Sequence, residues 1–270
     1  MKFTTLANAR KETGLAYLGK INSSAKMIKN KKVSNNYTYV IYLSPANTSG
    51  YNVCTHSTPE CRKGCLATSG RAKIEIYSNI NRIKNARIKK TRLFFEEQKY
   101  FIDWMIAEIK MYQKKAKKDG YYFSIRLNGT SDIDWANIGE YGKTIFDLFP
   151  EVQFYDYTKN PHKFINKPLN YHLTFSYTGR NWNLCEAILK SGQNIAMVFN
   201  TTKNQILPTE YKGYKVINGD LTDYRPLDGK GVIVGLRFKV IANKEANNEI
   251  LNSCFVMKSN VQIFEPVNVQ

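Results

Sequence analysis

The chain contains nothing close to the roughly 18 successive apolar residues that a membrane-spanning helix needs, and its opening, MKFTTLANARKETG, lacks the apolar run of a secretory leader. A soluble, cytoplasmic protein with no membrane partner is the expectation. A C-x2-C pair is also missing, which argues against an ordinary zinc ribbon. Five cysteines is an odd count with no leader before it, and that argues against a disulfide framework. Acids are scarce early on: residues 1–118 hold 24 Lys and Arg against seven Asp and Glu, while residues 119–270 hold 16 against 15. Nearly all of the +18 net charge therefore lies in the first half, as suits a chain that meets a polyanion, nucleic acid above all.

With 43% hydrophobic residues over 270 positions, the chain can bury a full core. Tyr37 to Leu43, YTYVIYL, is β-branched and aromatic throughout, as a strand buried on both faces would be. From Gly120 onward, short β-like runs alternate with polar turns and helix-like connections. The runs are Tyr122 to Leu127, Val152 to Tyr157, Tyr171 to Tyr177, Ile195 to Asn200, Lys215 to Asn218 and Val232 to Phe238. This alternation predicts an α/β fold, a full or partial (β/α) barrel of about six or seven mainly parallel strands. Residues 1–36 read as a basic arm, and 37–270 as a single barrel-like domain.

Between the first strand and the next element lies YLSPANTSGYNVCTHSTPECRKGCLATSGR, in which Cys54, Cys61 and Cys65 give the spacing C-x6-C-x3-C. Glu60, Arg62, Lys63 and Gly64 surround them, which is no core environment. Three soft thiolates in one loop can hold an iron–sulfur cluster and leave a position open for another group; zinc held with His56 or Cys185 is the alternative. Cys185 and Cys254 otherwise read as buried thiols, and His162 and His172 as ordinary histidines. Beyond the loop, Ile76, Ile80, Ile83 and Arg87, then Phe94, Phe101, Met105, Ile109 and Tyr112, recur at helical intervals. They predict two helices, or one broken near Lys90 and Thr91. The polar faces carry Lys84, Lys89, Lys90 and Arg92, the candidate nucleic-acid contacts.

In barrel folds the ligand site forms where strands end. Those positions are polar here: Asn128, Gly129, Thr130, Ser131, Asp132 and Asp134 follow one strand, Asp156 and Lys159 mark another, and Ser176, Thr178 and Arg180, then Asp220 and Asp223, follow others. Together they predict a site on one rim.

The blocks LSPANTSGYNVCTHSTPECRKGCLATSGRA, RIKKTRLFFEEQKYF, RLNGTSDIDW, FPEVQFYDYTKNP, NYHLTFSYTGRN, INGDLTDYRPLD and GVIVGLRFK resemble a phage-encoded family called gene product 88-like, over about residues 15–240. That family is one of unknown function and its name implies no activity; a phage origin implies the host cytoplasm. A second resemblance is architectural. A cysteine triad after the first strand with a Gly-containing turn after the second is similar to the radical S-adenosylmethionine enzymes, although the usual spacing there is C-x3-C-x2-C. The resemblance implies a [4Fe–4S] cluster on Cys54, Cys61 and Cys65, and S-adenosylmethionine held by Asn128, Gly129, Thr130, Ser131 and Asp132. Ser176 would contact its ribose, and Val232 to Leu236 would form an adenine wall. Three functions are in play. One is a radical-type enzyme acting on a nucleic acid or nucleotide. Another is a nucleic-acid-binding protein with a structural zinc or cluster. The third is acid–base or phosphodiester chemistry by Asp132, Asp134 and Asp156 around a divalent cation.

Overall fold

The structure, a computed structural model, describes residues 1–140 and 142–258. The end of the expected domain, 259–270, lies outside the described residues. Thr5 caps α1 (Leu6–Thr13), and Gly14, in the left-handed conformation, ends it. Strand β1 (Gly19–Ile21) and helix α2 (Ala25–Ser34) follow. The segment read as a basic arm is therefore structured, and Leu15, Leu18 and Ile21 lie in the main hydrophobic core.

Strand β2 (Asn36–Ile41) leads into the cysteine loop, which contains α3 (Pro59–Lys63). Helices α4 (Arg71–Tyr77), α5 (Arg82–Glu96) and α6 (Gln98–Asp119) come next. The break expected near Lys90 and Thr91 falls instead at Glu97, between α5 and α6. Thr91 is fully buried, its hydroxyl donating to Arg87 O while accepting from Ser44 N, so the helix runs straight through it.

The remainder comprises β3 (Tyr122–Arg126), the small hairpin β4 (Gly139–Glu140) and β5 (Lys143–Thr144), α7 (Ile145–Leu148), β6 (Gln153–Thr158) and β7 (Tyr171–Ser176). Then follow α8 (Trp182–Lys190), β8 (Asn194–Phe199), β9 (Glu210–Tyr211), β10 (Tyr214–Asn218), β11 (Ile233–Arg237), α9 (Lys244–Leu251) and β12 (Val256–Met257). Ten strands form one sheet in the order β1-β2-β3-β6-β7-β8-β11-β10-β9, with β12 also paired to β8. From β2 to β10 every neighbouring pair is parallel. The fold is thus mixed α/β with a mostly parallel sheet of ten strands that does not close into a full barrel. Antiparallel β1 and β9 occupy the outer edges of β2 and β10, so those edges do not pair with each other and the sheet stays open. For the same reason the cysteine loop follows the second strand, not the first.

Alternation along the strands sorts the two faces. Tyr37, Tyr39 and Ile41 of β2, Ile125, Phe154 and Leu173 pack with Trp104, Met105 and Ile109 of α6 in the apolar core. Each such large side chain contributes about 1.5–3 kcal/mol on burial. The opposite face is polar. Asn30 of α2 donates through Nδ2 to Thr38 Oγ1 and Tyr155 Oη, both at 3.1 Å, and Ser124 Oγ donates to Asn36 Oδ1 at 2.7 Å. Asn30 Oδ1 accepts from Asp223 N at 2.8 Å, tying this face to the segment after β10. Arg126 of β3 reaches the same segment, with Nη1 2.7 Å from Asp223 Oδ2. Strands five places apart in a flat sheet would stand more than ~20 Å apart, so the sheet curves around this polar face.

Candidate functional site: a basic, cysteine-lined cavity

At the C-terminal ends of the parallel strands this curvature encloses a cavity of about 1230 Å³. Inner-face residues wall it: Val40 and Tyr42 from the end of β2, Arg126 from β3, Tyr157 from β6, Ser176 from β7, and Ala196 and Val198 from β8. Nine lysines and arginines line it against three carboxylates, so it favours an anion. Those acids are already engaged. Asp132 pairs with Lys163 at 2.6 Å, Asp223 pairs with Arg126, and Glu75 accepts from Ile83 N at 2.8 Å.

Cys54, Cys61 and Cys65 all line the cavity and all are free thiols. Local sequence explains their placement. Pro59 opens α3, and Thr58 caps it by accepting from Cys61 N, which sets Cys61 in the first turn and Cys65 just past the end. The Cys54 Sγ lies 3.9 Å from Thr130 O, and Asp132 N donates to Val53 O at 2.8 Å, so the cysteine loop rests on the turn after β3. Burial pushes the Cys54 thiol up to about 11 and raises that of Cys65. Half-buried Lys159 lies beside Cys61 and lines the same cavity. Burial pulls its ammonium down, but Cys61 and Asp132 outweigh that and hold it above the ordinary value.

The turn Asn128 to Asp132 lies beside the thiols, yet its side chains are largely spent within the chain. Asn128 Oδ1 accepts from Ser131 Oγ (2.8 Å), Ile133 N (2.9 Å) and Trp135 Nε1 (3.3 Å), and its Nδ2 donates to Ile133 O and Asp156. Thr130 donates to Leu43 O. Asp132 accepts from Thr158 Oγ1, Lys159 N and Lys163 Nζ. Gly129 is required for a reason inside the fold: a Cβ there would lie 2.6 Å from both Ile41 O and the Tyr42 ring. What the turn leaves for a ligand is backbone and the cavity wall beside Ser176.

Asp132, Asp134 and Asp156 do not converge. Asp134 is bonded to Asn137 Nδ2 (2.8 Å), and Asp156 to Asn128 N and the Tyr171 hydroxyl. Burial lifts Asp156 to about 6, against the pull of Arg126. Among the described residues no group of three or more His, Cys, Asp or Glu is arranged to hold a single metal ion. Of the extra zinc donors considered, His56 is exposed and bonded to Thr55, and Cys185 is buried in the apolar core behind β7 and β8.

The model of the family described as Gene product 88 matches residues 8–251. The chain belongs to the gene product 88 family. No curated protein and no solved structure matches it. In this gene product 88 protein the four candidate nucleic-acid contacts on α5 part company. Lys84, Lys89 and Arg92 are exposed, and Arg92 also donates to Ser49 O at 3.2 Å. Lys90 is not on the outer surface with them, because one residue along a helix rotates a side chain by about 100°. It is buried, donates to Leu18 O at 2.7 Å and lines the cavity, and burial lowers its ammonium to about 8. Arg87 and Arg126 are cavity residues that the strand-end reading passed over. Arg87 stands in an apolar helical stripe and Arg126 inside an apolar strand, and a charge in such a place was the available signal. No helix among the described residues is long and apolar enough to cross a membrane.

Proposed function

We propose that this gene product 88 protein is an iron–sulfur enzyme of the radical S-adenosylmethionine type, working in the host cytoplasm on a nucleic acid or nucleotide. The observation that carries the reading is the convergence of three unoxidised thiols from one loop on a basic cavity at the C-terminal ends of a curved parallel sheet. The seven parallel strands then read as a partial barrel, with the site at the end where such folds place theirs.

We read the three thiols as cluster ligands and not as the ligands of one zinc ion, since among the described residues no three such donors are gathered around a single ion. Around one zinc the sulfurs crowd a single centre, whereas in a cubane each thiolate holds a different iron and the sulfurs stand farther apart. Cys54, Cys61 and Cys65 would be the ligands, and Lys159 would offset their negative charge. When bound, the cluster would supply the electron that cleaves S-adenosylmethionine reductively. The chain's own part is to bind, orient and exclude water. The backbone of Gly129 to Asp132 and the Ser176 side chain would hold the cofactor's polar groups, while Ala196, Val198 and Leu236, which also line the cavity, would offer an apolar wall to its adenine. Exposed Lys84, Lys89 and Arg92 would meet a polyanion outside the cavity.

The test is spectroscopic. Reduced, cluster-loaded protein should show an electron paramagnetic resonance signal that S-adenosylmethionine perturbs, and should release 5′-deoxyadenosine slowly. An unperturbed signal with no 5′-deoxyadenosine would remove the cofactor from the account and leave a metal-stabilised polyanion-binding protein.

A further inference from the structure

Among the described residues, two cations on the inner face of α5 form no ion pair with a carboxylate. Arg87 and Lys90 lie three residues apart, hence on one helix face, and both line the cavity. Arg87 donates from Nη1 to Ala67 O at 2.9 Å and sits 5.4 Å from the Tyr42 ring, and its Nε is buried without a hydrogen-bond partner. Lys90 has the Leu18 carbonyl and, at 4.5 Å, the Tyr17 ring. Burial weakens the charge on both, and Arg87 repels Lys90 further.

The nearest acids are committed elsewhere. Glu108 attracts Lys90 from a distance, but its carboxylate accepts from Leu18 N, Gly19 N, Tyr39 Oη and Trp104 Nε1. Glu75 is held by Ile83 N. Buried charge is strongly unfavourable unless paired, and two like charges side by side compound the cost. Among the described residues no ion-pair partner meets either charge, which leaves both open to a counter-charge brought by a ligand. Around them the cavity mixes further cations with the rings of Tyr17, Tyr157, Tyr177 and Phe238, the combination that tracks a phosphate backbone and stacks a base.

We propose that Arg87 and Lys90 form a phosphate subsite in this cavity, and that the substrate is a nucleotide unit whose phosphate they neutralise. This deepens the reading of the cavity as a reaction chamber by naming its substrate class. It needs no cluster, so the two stand or fall separately.

Titration calorimetry on the full chain at fixed ionic strength tests it with adenosine, adenosine 5′-monophosphate and a short single-stranded oligonucleotide. The monophosphate should bind at least about tenfold more tightly than adenosine, and Arg87→Leu and Lys90→Met should each weaken it about ten- to a hundredfold, as loss of a charge-assisted hydrogen bond does. The same variants should melt higher than wild type without ligand, since an uncompensated charge is gone; a merely structural role lowers the melting temperature. Arg87→Lys should keep most of the affinity. Tighter binding of the oligonucleotide identifies a polymer as the source of the phosphate, and tighter binding of the monophosphate a free nucleotide. A variant with Cys54, Cys61 and Cys65 all replaced by Ala should still bind. Equal affinity for adenosine and its monophosphate, no binding of any phosphate probe, or monophosphate binding indifferent to Arg87→Leu and Lys90→Met would overturn the proposal.

Discussion

Glu108 clamps the N-terminal strap that brings Tyr17 and Lys20 to the cavity rim, and replacing it with Gln tests that role. The carboxylate is fully buried and accepts from Leu18 N (3.0 Å), Gly19 N (2.9 Å), Tyr39 Oη (2.7 Å) and Trp104 Nε1 (3.1 Å). Burial pushes its carboxyl up, and the Gly19, Tyr39 and Leu18 donors with Lys90 act against that. In Glu108→Gln an NH2 replaces one oxygen and faces donors. The Tyr39 hydroxyl can turn to accept from it, but Gly19 N or Trp104 Nε1 cannot, so at least one buried donor loses its partner. Such a loss costs about 1–3 kcal/mol, and for a chain of this size each kcal/mol lowers the melting temperature by roughly 2–4 °C. Thermal unfolding followed by circular dichroism should therefore show a drop of roughly 2–12 °C. Hydrogen exchange should show faster exchange at the Leu18 and Gly19 amides. Glu108→Ala orphans all four donors and should fall near the limit of folding, given total stabilities of about 5–15 kcal/mol. A Glu108→Gln protein that melts with wild type and keeps both amides protected would refute the clamp.

Further outcomes follow from other residues. Gly129→Ala should destabilise by about 1–3 kcal/mol through its clash with Ile41 O and Tyr42; chemical denaturation checks this, and an unchanged midpoint would mean that the turn is not packed as described. Burial, with Lys167 and Arg225, lowers His172 from 6.5 to about 4. Unfolded chains then bind the proton first, so this stability is present above about pH 6.5 and is lost as pH falls toward 4. The full shift corresponds to about 3 kcal/mol, reduced to about 1–2 kcal/mol for a half-buried ring. His172→Gln should flatten that slope, and equal slopes in the two proteins would contradict it. Charge reversal at Lys84, Lys89 and Arg92 should weaken duplex binding for all sequences alike and lower its salt slope by roughly 0.9 per lost contact. Unchanged binding would make α5's outer face a solvated surface only.

Much of the scaffold was legible because the long strands are apolar, β-branched runs bounded by turns. β2, β3, β6, β7, β8, β10 and β11 all fall within a residue or two of their expected limits. The short pieces were not: β1, β9 and β12 hold two or three residues, too few for alternation to register. They also set the architecture, since β1 and β9 occupy the sheet's edges. At the site, clustering in a polar loop made Cys54, Cys61 and Cys65 visible. The contact of Gly129 with Ile41 O and Tyr42 was not legible, because a tight turn before a ligand and a tight turn against a neighbouring ring ask for the same residue. Lys89 and Lys90 are adjacent in sequence, and only the phase of α5 sends one to solvent and the other into the cavity.

The claim on which the account turns is that Cys54, Cys61 and Cys65 hold an iron–sulfur cluster, and anaerobic purification with iron, sulfide and zinc analysis tests it most directly. The account predicts brown protein with roughly four irons and four sulfides per chain. The colour should be lost in each of Cys54→Ala, Cys61→Ala and Cys65→Ala and kept in Cys254→Ala. Stoichiometric zinc without iron after anaerobic reconstitution, or a cluster that survives replacement of all three thiols, would contradict it.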